Sequence, residues 1–189
     1  SLPLEPAVQL LASRAESAAV AWKLPLLPSL TPLEVAERKA RRPRIGMVSY
    51  DFREHPVSQL LVEVLEKIDR GRFEVELYSS GPDDQSALRA RIAAAADRFV
   101  DLRGLSDQQA AELVRADGMD ILIDLTGHTR GHRLGVLARR PAPVQVSYLG
   151  YVASTGAEFI DYIVGDPLVT PLQLAQDYSE KIAQMPLTL

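Results

Sequence analysis

The chain has no cysteine among its 189 residues. That excludes a disulfide framework, a thiolate nucleophile and a cysteine-based zinc site, and it suits a reducing cytoplasm. It also lacks an excess of positive charge: the formal net charge is −4, so no basic field is available for nucleic acid. No window of about 18 uncharged apolar residues exists to cross a bilayer. Neither nucleic acid nor membrane is therefore expected as a partner. The opening "SLPLEPAVQLL" has no basic stretch of the kind that begins a secretory signal, and a start at Ser1 instead of methionine points to a processed chain or a fragment. No G-x-G-x-x-G follows a strand and no G-x-x-x-x-G-K-[ST] occurs, which disfavours a dinucleotide enzyme and a P-loop nucleotidase. No self-similarity at a period of 20 to 50 residues marks a solenoid.

What is present is enough apolar sequence, 47%, to bury one sizeable core and an appendage. Residues 6–23 carry Val8, Leu11, Ala15, Ala18 and Trp22 at helical spacing after Pro6. Residues 24–42 hold three prolines and a charged run and read as an extended linker. The chain thus divides into a helical segment with its linker, 1–42, and an α/β unit, 43–189. In the second, "PRIGMVSY" reads as a strand, "PVSQLLVEVLEKID" as a helix burying Leu60, Leu61, Val64, Leu65 and Ile68, and "RFEVELYSS" as a strand. "DDQSALRARIAAAADRF" is helical, "FVDLR" a short strand, "SDQQAAELVRADG" a capped helix closed by Gly118, and "MDILIDLTG" a strong strand. "VQVSYLGY" and "FIDYIVGD" add two more. Apolar runs separated by helices imply parallel strands covered on both faces, a doubly wound, Rossmann-like sheet.

In such a sheet ligands sit beyond the carboxyl ends of the strands, so the residues after each strand are the candidates. After the first come Asp51, His55 and Pro56; after the fourth, Gly127, His128, Thr129, Arg130 and Gly131. Gly150 and Tyr151 follow the next strand and Asp166 the last. Pro56 fits the first turn of a helix, which leaves His55 beside free backbone N–H groups at the positive end of the dipole, with Asp51 placed to orient it. The plainer reading makes Asp51 a turn cap and His55 an exposed loop residue. His128 and His132 stand four apart, but two glycines argue against a shared helix and no third ligand is spaced nearby, so no metal is expected. "GHTRGH" reads instead as a loop contacting a phosphate or sugar through backbone groups, or as an ordinary turn. At Gly150 a missing Cβ lets a ligand reach the backbone.

Six ordered blocks resemble the catalytic region of the protein O-GlcNAc transferases: "RIGMVSYDFREHPVSQLL", "FEVELYSSGPDD", "DGMDILIDLTGHTRG", "RPAPVQVSYLGY", "STGAEFIDYIVGD" and "DYSEKIAQMPLTL". The resemblance covers residues 43–189; residues 1–42 resemble more weakly the helical region that follows that family's tetratricopeptide repeats. It implies the first lobe of a two-lobed GT-B fold, with the UDP-binding lobe and its diphosphate-neutralising lysine outside this chain. It implies inverting transfer of GlcNAc from UDP-GlcNAc to serine or threonine hydroxyls of proteins, without a cofactor or metal. The expected partners are a sugar nucleotide, a protein acceptor, the second lobe and the repeats. By the same resemblance Asp51, His55 and Pro56 match D-F-x-x-H-P, with His55 a base or a sugar-positioning group, and Leu149, Gly150 and Tyr151 match the L-G-Y segment that contacts the donor sugar. Val57 stands where some members carry threonine, His128 where they carry the tyrosine of N-G-Y-T-K-G, and "LGYVASTG" replaces L-G-Y-P-G-T-S-G. Another GT-B enzyme with a different acceptor, and a non-catalytic flavodoxin-like module, are the competing readings.

Overall fold

The computed structural model describes residues 5–186, so the last three residues of "DYSEKIAQMPLTL" lie outside it. Seven parallel strands form one sheet in the order β3-β2-β1-β4-β5-β6-β7. They are β1 (Arg44–Ser49), β2 (Glu74–Ser79), β3 (Arg98–Asp101), β4 (Ile121–Asp124), β5 (Val144–Tyr148), β6 (Tyr162–Gly165) and β7 (Lys181–Gln184). The chain runs outward from β1 to β3, then returns to lay β4 on the other side of β1. That reversal is the switch point of a doubly wound sheet, where a crevice opens. A flavodoxin-like order would put β3 beside β1; β4 is there, and the flavodoxin-like reading falls.

Alternation along the strands feeds two cores. On one face Met47, Val75 and Leu77 meet α3 (Pro56–Lys67) and α4 (Ala87–Ala94) through Val57, Leu61, Val62, Leu65 and Ile92. On the other, Val48, Tyr78 and Leu122 meet α5 (Asp107–Ala116) and α6 (Leu134–Leu137). Ser106 and Gln109 form a capping box that starts α5, and Gly118 at φ +73° follows its end. The buried stripe of α3 is Val57, Ser58, Leu61, Val62 and Leu65, rotated from the one read in the sequence: Leu60 is 53% exposed and Val64 43%. The register is set by His55 and Pro56, which fix where the helix begins.

The N-terminal part packs on this sheet. In α1 (Pro6–Ala21) and just beyond, Val20, Ala21, Leu24 and Leu27 join the second core. The connections after β5 and β6 carry only a single 3-10 turn, Leu172–Asp177, and α1 packs against both that turn and α6. The supposed linker is not wholly extended, because α2 (Pro32–Lys39) starts at a Thr31–Glu34 capping box. It buries no residue; instead Arg38 and the following Arg41 hold Asp120 at 2.9 and 2.7 Å. Charge fixes α2, so apolar periodicity could not reveal it. α6 is a single turn of four residues, and β7, Lys181–Gln184, has a charged residue and an amide at its exposed ends, so neither shows an apolar pattern of its own.

The rotated α3 face is testable by thermal and denaturant unfolding. Leu61→Ala should cost about 3 kcal/mol, as a fully buried leucine does, and Leu60→Ala well under about 1 kcal/mol. Equal losses would contradict the face described here.

Candidate functional site

Because the strands are parallel and in register, Val48 beside Asp124 and Asp124 beside Ser147, residues just beyond them share one edge. Contacts join the three loops there. The Tyr50 N–H donates to Thr126 Oγ1 at 3.2 Å, linking the ends of β1 and β4. A Cβ on Gly150 would lie 1.8 Å from the Leu125 carbonyl oxygen, and one on Gly127 only 2.3 Å from Tyr151 Cβ. The loops after β4 and β5 therefore interlock, and neither glycine has room for a side chain. Asp51, His55, Pro56, Gly127, His128, Leu149, Gly150 and Tyr151 all lie along this rim. Leu149 sits there at φ +66°, a conformation that costs a non-glycine residue about 1 kcal/mol or more and recurs where backbone is held for a ligand.

His55 is the N-cap of α3, with Nδ1 accepting the Val57 N–H at 3.3 Å. Since Nδ1 supplies a lone pair, the neutral ring carries its proton on Nε2. Nε2 lies 3.7 Å from Asp51 Oδ1, beyond a good hydrogen bond. Asp51 is buried and its Oδ1 takes the closer guanidinium of Arg53, at 3.1 Å. Arg53 also lies over the Tyr50 ring, 5.6 Å from its centre. Sequence reasoning passed over Arg53; a cation two residues after the turn aspartate was the available signal.

Two other candidates face inward. Val57 is buried in the α3 core, and its N–H is taken by His55 Nδ1. The His128 side chain is 6% exposed and stands in a turn, edge-on to Tyr151 with ring centres 5.5 Å apart. Among the described residues no three histidine, aspartate or glutamate side chains gather as metal ligands. Asp166, after β6, accepts the N–H groups of Leu168 and Val169 at 2.8 Å and shapes its own turn. Between the ends of β5 and β6, Tyr148, Leu149, Val152, Val164 and Thr170 line a small apolar cavity beside Gly150.

The family described as Glycosyl transferase family 41 matches residues 28–189. The chain belongs to that family. It is 38% identical over 190 residues to the Arabidopsis thaliana protein named probable UDP-N-acetylglucosamine–peptide N-acetylglucosaminyltransferase SEC, covering 97% of this chain and 19% of that one. A Caenorhabditis elegans UDP-N-acetylglucosamine–peptide N-acetylglucosaminyltransferase is 42% identical over 163 residues, 84% of this chain and 14% of its own length. Among solved structures, a mutant Thermobaculum terrenum O-GlcNAc transferase superposes with a TM-score of 0.88 at 38% identity, over 98% of this chain and 35% of that one. The chain thus spans about a third or less of each of these relatives. Its α/β fold is that of the matching part of the Thermobaculum terrenum O-GlcNAc transferase.

Beneath the rim, Asp124 accepts the N–H groups of Thr126 and Gly127 at 3.2 and 2.7 Å and so shapes the loop that carries His128. Burial pushes its carboxyl up to about 6, against the pull of those two N–H groups and of His128. A folded-state value above the unfolded one means the native protein binds the proton more tightly, so this group's contribution to stability falls as pH rises from about 4 to about 6. A shift of this size corresponds to about 3 kcal/mol. The destabilisation caused by Asp124→Asn should accordingly be greater at pH 4 than at pH 7 in matched unfolding titrations; a cost independent of pH would refute the assignment.

Proposed function

We propose that this chain is the acceptor-side lobe of an inverting transferase that moves GlcNAc from UDP-GlcNAc to serine or threonine hydroxyls of proteins. The observation that carries the reading is that the loop after β4, beside the switch point, ties to the segment leading into the D-F-x-x-H-P turn through the Tyr50 N–H and Thr126 Oγ1 and interlocks with the L-G-Y loop at Gly127 and Gly150, so that both motifs share one edge. The chain holding both is 38–42% identical to peptide N-acetylglucosaminyltransferases. The donor sugar lies against the backbone of 149–151, and Gly127 and Pro56 border it; Gly150 lets this loop close on the Leu125 carbonyl, so its missing Cβ serves packing and not, as the sequence suggested, the approach of a ligand. The second lobe holds the uridine diphosphate and its neutralising lysine, and tetratricopeptide repeats precede this segment. The enzyme works in a reducing cytoplasm without cofactor or metal, the leaving diphosphate being neutralised by helix ends and cations.

Inverting transfer needs the acceptor hydroxyl in line with the anomeric carbon, its proton removed, and the departing diphosphate stabilised. His55 contributes through Nε2–H, as a hydrogen-bond donor that fixes the reacting groups at the positive end of α3. With Nδ1 turned to Val57, the ring in this arrangement has no free lone pair to take the acceptor's proton. Arg53 holds the Asp51 carboxylate off Nε2, which leaves that N–H for substrate.

Steady-state kinetics of the full-length enzyme separate donor from base. His55→Ala should lower kcat/KM by about 100-fold while the protein stays folded, its melting temperature falling only by the few degrees that a lost N-cap of about 1 kcal/mol accounts for. His55→Gln, which keeps an N–H at a similar reach, should recover about tenfold of that loss. A glutamine variant as poor as the alanine one would contradict the donor role in favour of a base. Absence of any transfer from UDP-GlcNAc by the unaltered protein would overturn the function itself.

A further inference from the structure

Helix α1 reaches the rim through a polar seam that packing alone does not call for. Ser13 and Ser17 are buried, at 3% and 2% exposure. Ser13 Oγ lies 3.3 Å from the Tyr151 hydroxyl. Ser17 donates to the Thr155 carbonyl at 2.7 Å and stands 3.2 Å from His128 Nε2. Thr155 O only accepts, so His128 Nε2, at 2.8 Å, donates to it. The other ring nitrogen, Nδ1, lies 3.2 Å from the Glu16 carboxylate. The backbone closes the seam: a Cβ on Gly156 would come within 2.3 Å of Arg14 N.

The loop held this way, between β5 and β6, has no helix of its own, and it carries Leu149, Gly150 and Tyr151. From below it is tied to buried Glu180, which accepts from Ser154 Oγ and from the Thr155 N–H, each at 2.7 Å, and from the Thr155 hydroxyl. On the side facing α1, that helix and the ring of His128 hold it. We infer that Glu16 and Ser17 are positioning residues for the donor sugar: through His128 and Thr155 they hold the 149–156 loop, so that a helix outside the catalytic sheet sets the geometry of the sugar-contacting backbone. This places His128 behind the rim as the link to α1, with the ligand side left to the backbone. The inference rests on the assignment of 149–151 to the donor.

The full-length enzyme provides the test, in Ser17→Ala, Glu16→Ala and Glu16→Gln. Ser17→Ala should raise KM for UDP-GlcNAc about fivefold, the worth of one buried hydrogen bond, and Glu16→Ala, which removes a carboxylate that is 66% exposed, about twofold, with kcat and the acceptor-peptide KM unchanged in both. Amide hydrogen exchange over residues 149–156 should quicken in both more than elsewhere in the chain, with the melting temperature lowered by no more than about 4 °C. Glu16→Gln keeps an amide beside Nδ1 that can either donate to or accept from that nitrogen, and should restore both readouts. An unchanged donor KM, or unchanged exchange at 149–156, overturns the inference. If the unaltered enzyme transfers no GlcNAc, the functional reading fails separately, and the exchange data alone decide whether α1 positions the loop.

Discussion

The common direction of the seven strands is the constraint on which the site depends. A parallel pair cannot be closed by a hairpin; each return needs a crossover, and right-handed crossovers place successive helices on predictable faces. Every strand therefore ends at the same edge, and residues as distant in sequence as His55 and Tyr151 are delivered to one rim. The reversal between β3 and β4 opens that rim into a crevice beside β1. The interlock of Gly127 with Tyr151, and of Gly150 with the Leu125 carbonyl, then converts a shared edge into a shaped surface.

Polar groups finish what the sheet begins. Asp124, with no cation at hydrogen-bond distance among the described residues, is buried at a cost and keeps two N–H groups oriented beneath the His128 loop. Arg53 takes Asp51 away from His55. At the opposite end of the sheet Asp120 gathers Arg38 and Arg41 and also accepts the Arg44 N–H at 2.8 Å, anchoring the segment that joins α2 to β1. The apolar residues thus gather in two cores, and these polar contacts lie at the two ends of the sheet, one anchoring the N-terminal segment and the other shaping the rim.

Much of this was legible in the sequence. Long apolar runs gave six of the strands, and turn residues gave the candidate rim: Asp51, His55, Gly127, Gly150 and Tyr151 do lie along one edge. What was not legible depended on tertiary partners. The buried stripe of α3 turns on where Pro56 starts the helix. α2 is held by ion pairs to a residue some 80 positions away, and β7 shows too few apolar residues to stand out. His128 looked like a ligand contact in a glycine-rich loop, but its neighbours come from α1 and Thr155, which no local pattern discloses.

The central claim is that the rim formed by the D-F-x-x-H-P turn and the L-G-Y loop receives the donor sugar. A crystal structure of the full-length enzyme with UDP-GlcNAc and an acceptor peptide tests it most directly. The account predicts the sugar within about 3.2 Å of His55 Nε2 or of the 149–151 backbone, with α1 still bonded to His128. A donor bound at the Asp120 edge, or a sugar out of reach of both His55 and Gly150, would contradict it.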